Sequence, residues 1–399
     1  MLSDRHVALG ITGSIAAYKA ADLASKLTQG GALVDVLMTA SATRFITPLT
    51  LRSLTGRPVF LDMFDPDSEM AEEHIEIARR ADVAIIAPAS ATTIARLAQG
   101  LADDVVSLTM LATEAPRLIA PAMDNQMYED ATTQANLETL RERGFTIVGP
   151  AEGRLATGRM GVGRLLETEA LVGAIKQAIG RRGDLAGERI VISAGGTREP
   201  IDPVRFISNY SSGKMGYALA EAARDRGADV TLVSTVTTLP CPYGVELVPV
   251  ETVADMREAV LKACEDASAL IMAAAVSDYR PAQRAGEKVK KGPQSKALEL
   301  VKNDDFLLEI EGKLVKVGFA AETGDLLTNA KAKLKAKKLD LIAANDVTLP
   351  GVGFGTDTNQ VSIIDADGEI EEIPLLPKYE VAHRILARVV SLLRERHGA

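Results

Sequence analysis

The stretch RFISNYSSGKMG fills residues 205–216, near the middle of a chain of 399 residues. An apolar run, IVISA at 190–194, and a glycine turn, GGTR at 195–198, precede it. A helix-like stretch at 214–227 and a second apolar run, DVTLV at 229–233, follow. Strand, long polar loop, helix and strand in that order begin a βαβ unit. In such a sheet ligands bind beyond the carboxyl ends of the strands, where this loop must lie. The loop carries Arg198, Asn209, Ser211, Ser212 and Lys214, donors suited to an anion. It is not a P-loop, which needs Gly five residues before its Gly-Lys and Ser or Thr after it; Ser208 and Met215 stand there. Loops longer than roughly 12–15 residues in compact domains are mostly functional or disordered. Val204, Phe206 and Ile207 beside Pro200 and Pro203 argue against disorder, and a solvated surface connection is the alternative.

Toward the amino terminus the same alternation recurs. Strands are predicted at 6–11, 33–38, 83–87, 117–120 and 145–148, with helices at 14–29 and 132–143. Gly13 and Ser14 are read at the first turn and helix cap. Strands written as near-continuous Val, Ile, Leu and Ala are buried on both faces, as in a parallel sheet. The run RRGDLAGE at 181–188 interrupts the pattern, so the boundary is placed there, giving domains 1–187 and 188–399. Both read as doubly wound α/β domains. ARRADVAIIAPAS at 78–90 and CEDASALIMAAAVS at 264–277 share a helix end, a buried strand and a small-residue turn. They are one ancestral unit used twice, or two solutions to one packing problem. A β-hairpin with its turn at 365–368 and an amphipathic helix at 380–394 close the chain.

Composition narrows the class. Hydrophobic residues make up 47% and charged residues 25%, ordinary for a globular protein. A net charge of -9 argues against nucleic-acid binding, so an anionic ligand needs local cations. Lysines 288, 290, 291, 296 and 302, and the stretch 331–338, are such places, or else solvated charged faces. Cys241 and Cys264 show no metal-like spacing, and with no signal peptide or membrane span the expectation is a cytoplasmic protein.

No GxGxxG is present. Gly13 and Ser14 open a helix, Thr39 and Ser41 follow the next strand, and Ser90 follows a third. Each turn alone is a helix cap; the three together favour a mononucleotide, such as a flavin. His74 lies in EEHIE at 72–76, where carboxylates raise a histidine's pKa and suit proton transfer; an exposed helix-start histidine is the alternative.

From about residue 7 to the final helix the chain resembles the bifunctional phosphopantothenoylcysteine decarboxylase/phosphopantothenate–cysteine ligase family of coenzyme A biosynthesis. The residues that carry the likeness are GSIAAYK at 13–19, PAMDNQMY at 121–128, TREPIDPVRFISNYSSGKMG at 197–216, AAAVSDY at 273–279, EKVKK at 287–291 and GFAAET at 318–323. The resemblance implies two Rossmann/flavodoxin-like domains, an FMN-binding flavoprotein domain followed by a nucleotide-binding ligase domain. It implies that the second half joins cysteine to phosphopantothenate through an acyl-cytidylate formed from CTP, with magnesium. The first half then decarboxylates the product oxidatively and reduces it to phosphopantetheine. A homo-oligomer of flavin-domain trimers and ligase-domain dimers is also implied.

Residue by residue, the likeness puts Gly13, Ser14, Thr39, Ser41 and Ser90 at FMN and makes His74 the active-site histidine. It gives Asn209 to the acyl-cytidylate and Lys288 to the ligase centre. Met272, Ala273, Ala274, Asp278, Asn303, Asp304, Asp305, Phe306, Phe319, Lys333 and Lys337 fall to the nucleotide, and metal ligands are not identified. Lys302-Asn303-Asp304-Asp305 stands where the family has Lys-Asn-Pro-Asp. Three positions of the flavin half also depart. Asp124 replaces the Asn that holds the substrate carboxylate, with Asn125 beside it; Thr157 replaces a flap cysteine that protonates the enethiol; Asp103 replaces an Asn. A chain that keeps only the ligase, its flavin domain an oligomerisation core, is therefore the second expectation. A partner-binding regulatory subunit conflicts with Lys288, Lys333 and Lys337, and a nicotinamide dehydrogenase lacks its glycine motif and ribose-binding acid.

Overall fold

The computed structural model describes residues 1–62, 73–290, 297–322 and 324–398. The expected functional positions Glu72, Lys291, Lys296 and Thr323 lie outside the described residues. The chain divides into two compact units, Met1–Ile179 and Gly180–Ala399.

In the first unit, β1 (His6–Ile11), β2 (Leu33–Met38), β3 (Val59–Phe60), β4 (Val83–Ala89), β5 (Arg117–Pro121) and β6 (Phe145–Ile147) form one parallel sheet. Its order is β3-β2-β1-β4-β5-β6. That is the Rossmann arrangement, which reverses direction between β1 and β4. Helices α1 (Ala17–Gln29), α2 (Pro48–Thr55), α3 (Glu73–Arg80), α4 (Ala91–Gln99), α5 (Val105–Ala112), α6 (Asn125–Glu129) and α7 (Ala131–Glu142) link the strands. An antiparallel hairpin, β7 (Ala151–Arg154) and β8 (Met160–Arg164), and α8 (Thr168–Gly180) follow. Thr47 caps α2 ahead of Pro48, Ser90 caps α4, and Asp104 with Ser107 forms a capping box on α5. The first helix corrects the sequence reading. It starts at Ala17, with Ala16 as an N-cap that makes no side-chain bond, so Ser14 does not cap it. Ser14 instead stays in a loop and donates to the Ala122 carbonyl at 3.1 Å.

The second unit repeats the winding. Its strands are β9 (Arg189–Ala194), β10 (Arg198–Pro200), β11 (Phe206–Ser208), β12 (Asp229–Ser234), β13 (Glu246–Pro249), β14 (Ala269–Met272), β15 (Tyr279–Pro281), β16 (Leu300–Lys302), β17 (Val315–Glu322), β18 (Leu341–Asp346), β19 (Thr358–Asp365) and β20 (Ile370–Pro377). The main sheet runs β13-β12-β9-β14-β17-β18-β19-β20, parallel up to β18 and antiparallel beyond it. Strands β4 and β14, alike in sequence, thus occupy the same place, just past the reversal. The long central loop is more ordered than its polarity indicated, because β10 and β11 pair within it. Helices α9 (Lys214–Asp225) and α12 (Lys378–Gly398) cover one sheet face, over Ile190, Ile192, Ile271 and Ala343. Helices α10 (Val253–Ala263) and α11 (Leu326–Ala336) cover the other, over Val191, Leu270, Met272 and Ile342. Alternate residues of each strand therefore enter opposite cores, which is why these strands read as unbroken apolar runs.

Helix α12 begins two residues earlier than its amphipathic pattern predicted, at Lys378. Its second residue, Tyr379, donates to Asp225 Oδ2 at 2.6 Å, and Arg224 Nε holds Asp225 Oδ1 at 2.8 Å. Arg224 and Asp225 are buried at the end of α9. A buried carboxylate stripped of its cation is costly, whereas a lost neutral hydroxyl donor is not. Arg224→Met is therefore expected to lower unfolding free energy by about 3–5 kcal/mol and Tyr379→Phe by about 1–2 kcal/mol. Urea denaturation of the two variants checks this, and equal small losses would contradict it.

Candidate active sites

In the first unit the predicted residues meet at the carboxyl edge of the sheet. Ser14 follows β1, Thr39 and Ser41 follow β2, Ser90 follows β4, and Ala122 to Asn125 follow β5. Ser14 and Ser90 thus flank the strand reversal, where a crevice opens. Thr12 ties the two turns together, donating to Pro88 O at 2.7 Å and accepting from Ser90 N at 2.9 Å. Gly13 leaves no room for a side chain, since a Cβ there would meet Ser41 Cβ at 2.6 Å. Ser90 is a true N-cap, accepting from Thr93 N, and Thr39 Oγ1 accepts from Ala42 N. Ser41 makes no side-chain cap bond. Close backbone, an α1 start whose N-cap makes no side-chain bond and a cluster of hydroxyls fit the phosphate of a mononucleotide.

Helix α3 runs into the amino end of β4, so its first residues, His74 among them, lie toward the carboxyl edge. His74 is half-buried there. Asp103 pairs with Arg96 at 3.2 Å. The β7–β8 hairpin folds over the β5 exit, where a Cβ on Gly161 would meet Asn125 Cβ at 2.9 Å. At the hairpin tip Thr157 Oγ1 donates to Asp124 Oδ2 at 3.4 Å, and Asp124 also caps α6 by accepting from Gln126 N. The three positions at which the resemblance expects other residues are thus two neighbours in space, Asp124 and Thr157, and one ion-paired residue, Asp103.

In the second unit a cleft of about 760 Å³ opens at the carboxyl ends of β9, β14 and β17. Asn209, Met272, Ala273, Ala274, Asp278, Asn303, Asp304, Asp305, Phe306, Phe319, Lys333 and Lys337 all line it, as do Ser211, Ser212 and Lys214. Backbone bonds stitch its floor across the strand reversal. Ala275 N donates to Gly195 O at 2.8 Å and Thr197 N to Ala275 O at 3.2 Å. Ala274 N reaches Ser193 Oγ at 3.1 Å, and Asn209 Nδ2 reaches Ala275 O at 3.5 Å. Asn303 is buried, its amide on Ser277 O at 2.8 Å. Asp305 caps a short turn at Phe306–Glu309 and receives Lys337 Nζ at 3.0 Å. Lys333 Nζ donates to Phe319 O at 2.8 Å. Burial, and then the like charge of Lys337, push the Lys333 ammonium below its usual range. An under-solvated cation so placed gains most from a phosphate.

Lys288 is not brought into this cleft; its side chain is exposed and absent from the lining. Its neighbour Val289 is clamped instead, its N–H on Asp202 Oδ2 at 3.1 Å and its carbonyl receiving Arg205 Nη2 at 2.8 Å. Arg198 likewise lies off the cleft, its guanidinium 5.1 Å from the centre of the Phe206 ring. Conversely, Asn345, Gly353, Phe354, Asn359 and Lys378 line the cleft and carried no sequence signal. They sit on or after β18, β19 and β20, three to five strands across the sheet from β9, which leads into the loop that marked the site, and no spacing rule links them to it.

The sequence model of the flavoprotein family matches residues 1–180, and that of the DNA/pantothenate metabolism flavoprotein C-terminal domain matches residues 185–393. A Vibrio vulnificus protein named coenzyme A biosynthesis bifunctional protein CoaBC is 44% identical over 98% of this chain and 99% of its own length. The Bacillus subtilis protein of the same name is 45% identical over 99% of both chains. A crystal structure of the C-terminal domain of a CoaBC protein, 42% identical, covers 53% of this chain and 99% of that domain, with a TM-score of 0.46. The chain belongs to the family of bifunctional coenzyme A biosynthesis proteins, CoaBC.

Proposed function

We propose that residues 188–399 join cysteine to phosphopantothenate using CTP, and that residues 1–187 decarboxylate the product with FMN. Full-length likeness to proteins named as bifunctional supports two activities rather than a ligase alone. The observation that carries the ligase assignment is the cleft itself, which gathers Lys333, Lys337, Asn209 and the start of α9 around one volume in a chain of net charge -9. Attack of the substrate carboxylate on the α-phosphate builds negative charge on phosphorus oxygens. Fixed cations and backbone N–H groups that need no reorganisation stabilise it. Lys333 and Lys337 serve that role, and Asn209 donates to the acyl oxygen of the mixed anhydride while the cysteine amine displaces CMP. Magnesium enters with the CTP phosphates. Lys288 would act from the strap that Asp202 and Arg205 hold at Val289.

In the first unit Gly13, Ser14, Thr39, Ser41 and Ser90 would hold FMN, and His74 stands at the same edge. Bound FMN supplies the two-electron oxidation of the cysteinyl carbon that lets the carboxylate leave. Asn125 orients that carboxylate while Asp124, engaged with Gln126 N and Thr157, faces away from it. Thr157 excludes water at the flap, but a threonine hydroxyl gives up its proton far less readily than a thiol, so protonation of the enethiol limits this half. Exposed Ile15, Tyr18, Phe45 and Leu49 lie beside these turns and offer the apolar surface that a flavin-domain trimer would cover. Dimers of the ligase domain complete the proposed homo-oligomer. No described helix is long and apolar enough to cross a membrane. Both cysteines are free, burial pushing the Cys264 thiol up to about 12, and we place the protein in a reducing cytoplasm.

Supplied with phosphopantothenate, CTP, magnesium and cysteine, FMN-loaded protein should yield phosphopantetheine by mass analysis. Accumulation of phosphopantothenoylcysteine would reject the decarboxylase half, and absence of the amide would reject the ligase half. Lys333→Met should raise the KM for CTP on the order of tenfold or more. Because the Lys333 ammonium is depressed, it loses its charge below the ordinary lysine range of 10.5. CTP affinity should therefore fall on the alkaline side earlier than an exposed lysine would dictate, and Lys337→Met should move that limb to higher pH. Thr157→Cys should raise the rate of the final reduced product by about tenfold or more, with less enethiol seen in quenched samples.

A further inference from the structure

The other wall of the cleft is a loop with the sequence GFGTD at 353–357. Gly353 and Gly355 hold φ of 108° and 89°, a region closed to most side chains, and so turn Phe354 outward between them. Phe354 is 49% exposed and lines the cleft. Two ammonium groups fasten this loop. Lys378, only 7% exposed, donates to Thr356 O at 2.6 Å, Thr358 O at 2.9 Å, Thr356 Oγ1 at 3.2 Å and Gly353 O at 3.4 Å. Lys214, the first residue of α9, donates to Gly355 O at 2.8 Å and Asp357 Oδ1 at 2.7 Å. Ser212 Oγ accepts from Gly355 N at 3.3 Å. Burial and then the nearby charge of Lys214 push the Lys378 ammonium below its usual range, and the charge of Asp357 opposes them. The ties run to the starts of α9 and α12, on one face of the sheet. Phe306 and the α11 helix that carries Lys333 pack on the opposite face.

We propose that the 353–357 loop is the acyl-side wall of the ligase cleft, with Phe354 packing on the aliphatic chain of the carboxylate substrate and Lys378 and Lys214 as the positioning residues that hold it there. The proposal rests on the ligase reading above. Cations and carboxylates crowd the Lys333 wall and suit a nucleotide. A half-exposed phenyl ring on a rigidly tied loop suits branched aliphatic carbon, which phosphopantothenate carries and CTP does not. The lysines hold carbonyls and are not catalytic residues: they set where the ring stands.

The chain has no tryptophan, so Phe354→Trp places a single indole on the loop. Its emission should shift when phosphopantothenate is added to the full-length enzyme, and Lys378→Met in that background should abolish the shift. Should Lys378→Met fail to fold, Lys214→Met cuts the second tether and should at least halve the shift. In steady-state assays Phe354→Ala should raise the KM for phosphopantothenate about tenfold and leave the KM for CTP and kcat within about twofold. An unchanged KM for phosphopantothenate, an equal rise for CTP, or an emission blind to phosphopantothenate overturns the assignment. Lys333→Met run alongside separates the two failures. If it leaves CTP binding untouched, the ligase reading of the cleft is wrong; if it impairs CTP binding while Phe354→Ala behaves as the parent, the loop assignment alone is wrong.

Discussion

Parallel pairing between strands whose outgoing loops leave toward opposite faces is the constraint on which both units depend. Where the winding reverses, between β1 and β4 and again between β9 and β14, no helix closes over the strand ends. Directly at these strand ends the floor of the crevice is backbone and small side chains. Close approach needs small residues there, and the turns read Thr12-Gly13-Ser14, Pro88-Ala89-Ser90, Gly195-Gly196-Thr197 and Ala273-Ala274-Ala275. Bonds such as Ala275 N to Gly195 O and Ser90 N to Thr12 Oγ1 satisfy the buried polar groups of these turns. They also set the floor on which a ligand must rest.

Charge is placed locally, against the balance of the whole chain. Acidic residues outnumber basic ones, 54 to 45, yet Lys333, Lys337, Lys214 and Lys378 converge on a single cleft. Each is tied by a carbonyl or carboxylate: Lys333 to Phe319, Lys337 to Asp305, Lys214 to Gly355, Lys378 to Thr356. The ties counter the repulsion among them; they keep Lys333 and Lys337 in position before any phosphate arrives, and Lys214 and Lys378 on the 353–357 loop. Preorganisation of this kind is what transition-state stabilisation requires.

The flavin half shows how departures from a family pattern can be coherent. Asp124 and Thr157, where the resemblance expects Asn and Cys, lie at separate points of the chain, yet the hairpin brings them to 3.4 Å. A hydroxyl donating to a carboxylate is a compatible pair. The two replacements therefore act on one small volume, where the hairpin meets the exit of β5.

The sequence by itself determined the class of fold and the edge of the sheet that matters. Runs such as IVISA at 190–194 and VAIIAPA at 83–89 can only be strands covered on both sides, and the glycine- and hydroxyl-rich turns after them mark the carboxyl edge. Local information sufficed because strand burial and turn chemistry are set by adjacent residues. The family resemblance, rather than local pattern, named twelve residues that the cleft gathers. Only the tertiary structure decided which distant groups share that volume. It brought Phe354 and Lys378 in from the far side of the sheet and left the Lys288 side chain outside. It also moved the start of α1 from Ser14 to Ala17. These depend on how strands are ordered across the sheet and on contacts over more than a hundred residues, as between Lys214 and Asp357. No pattern along the chain encodes such a distance, because the energy that sets it arises only when the layers pack.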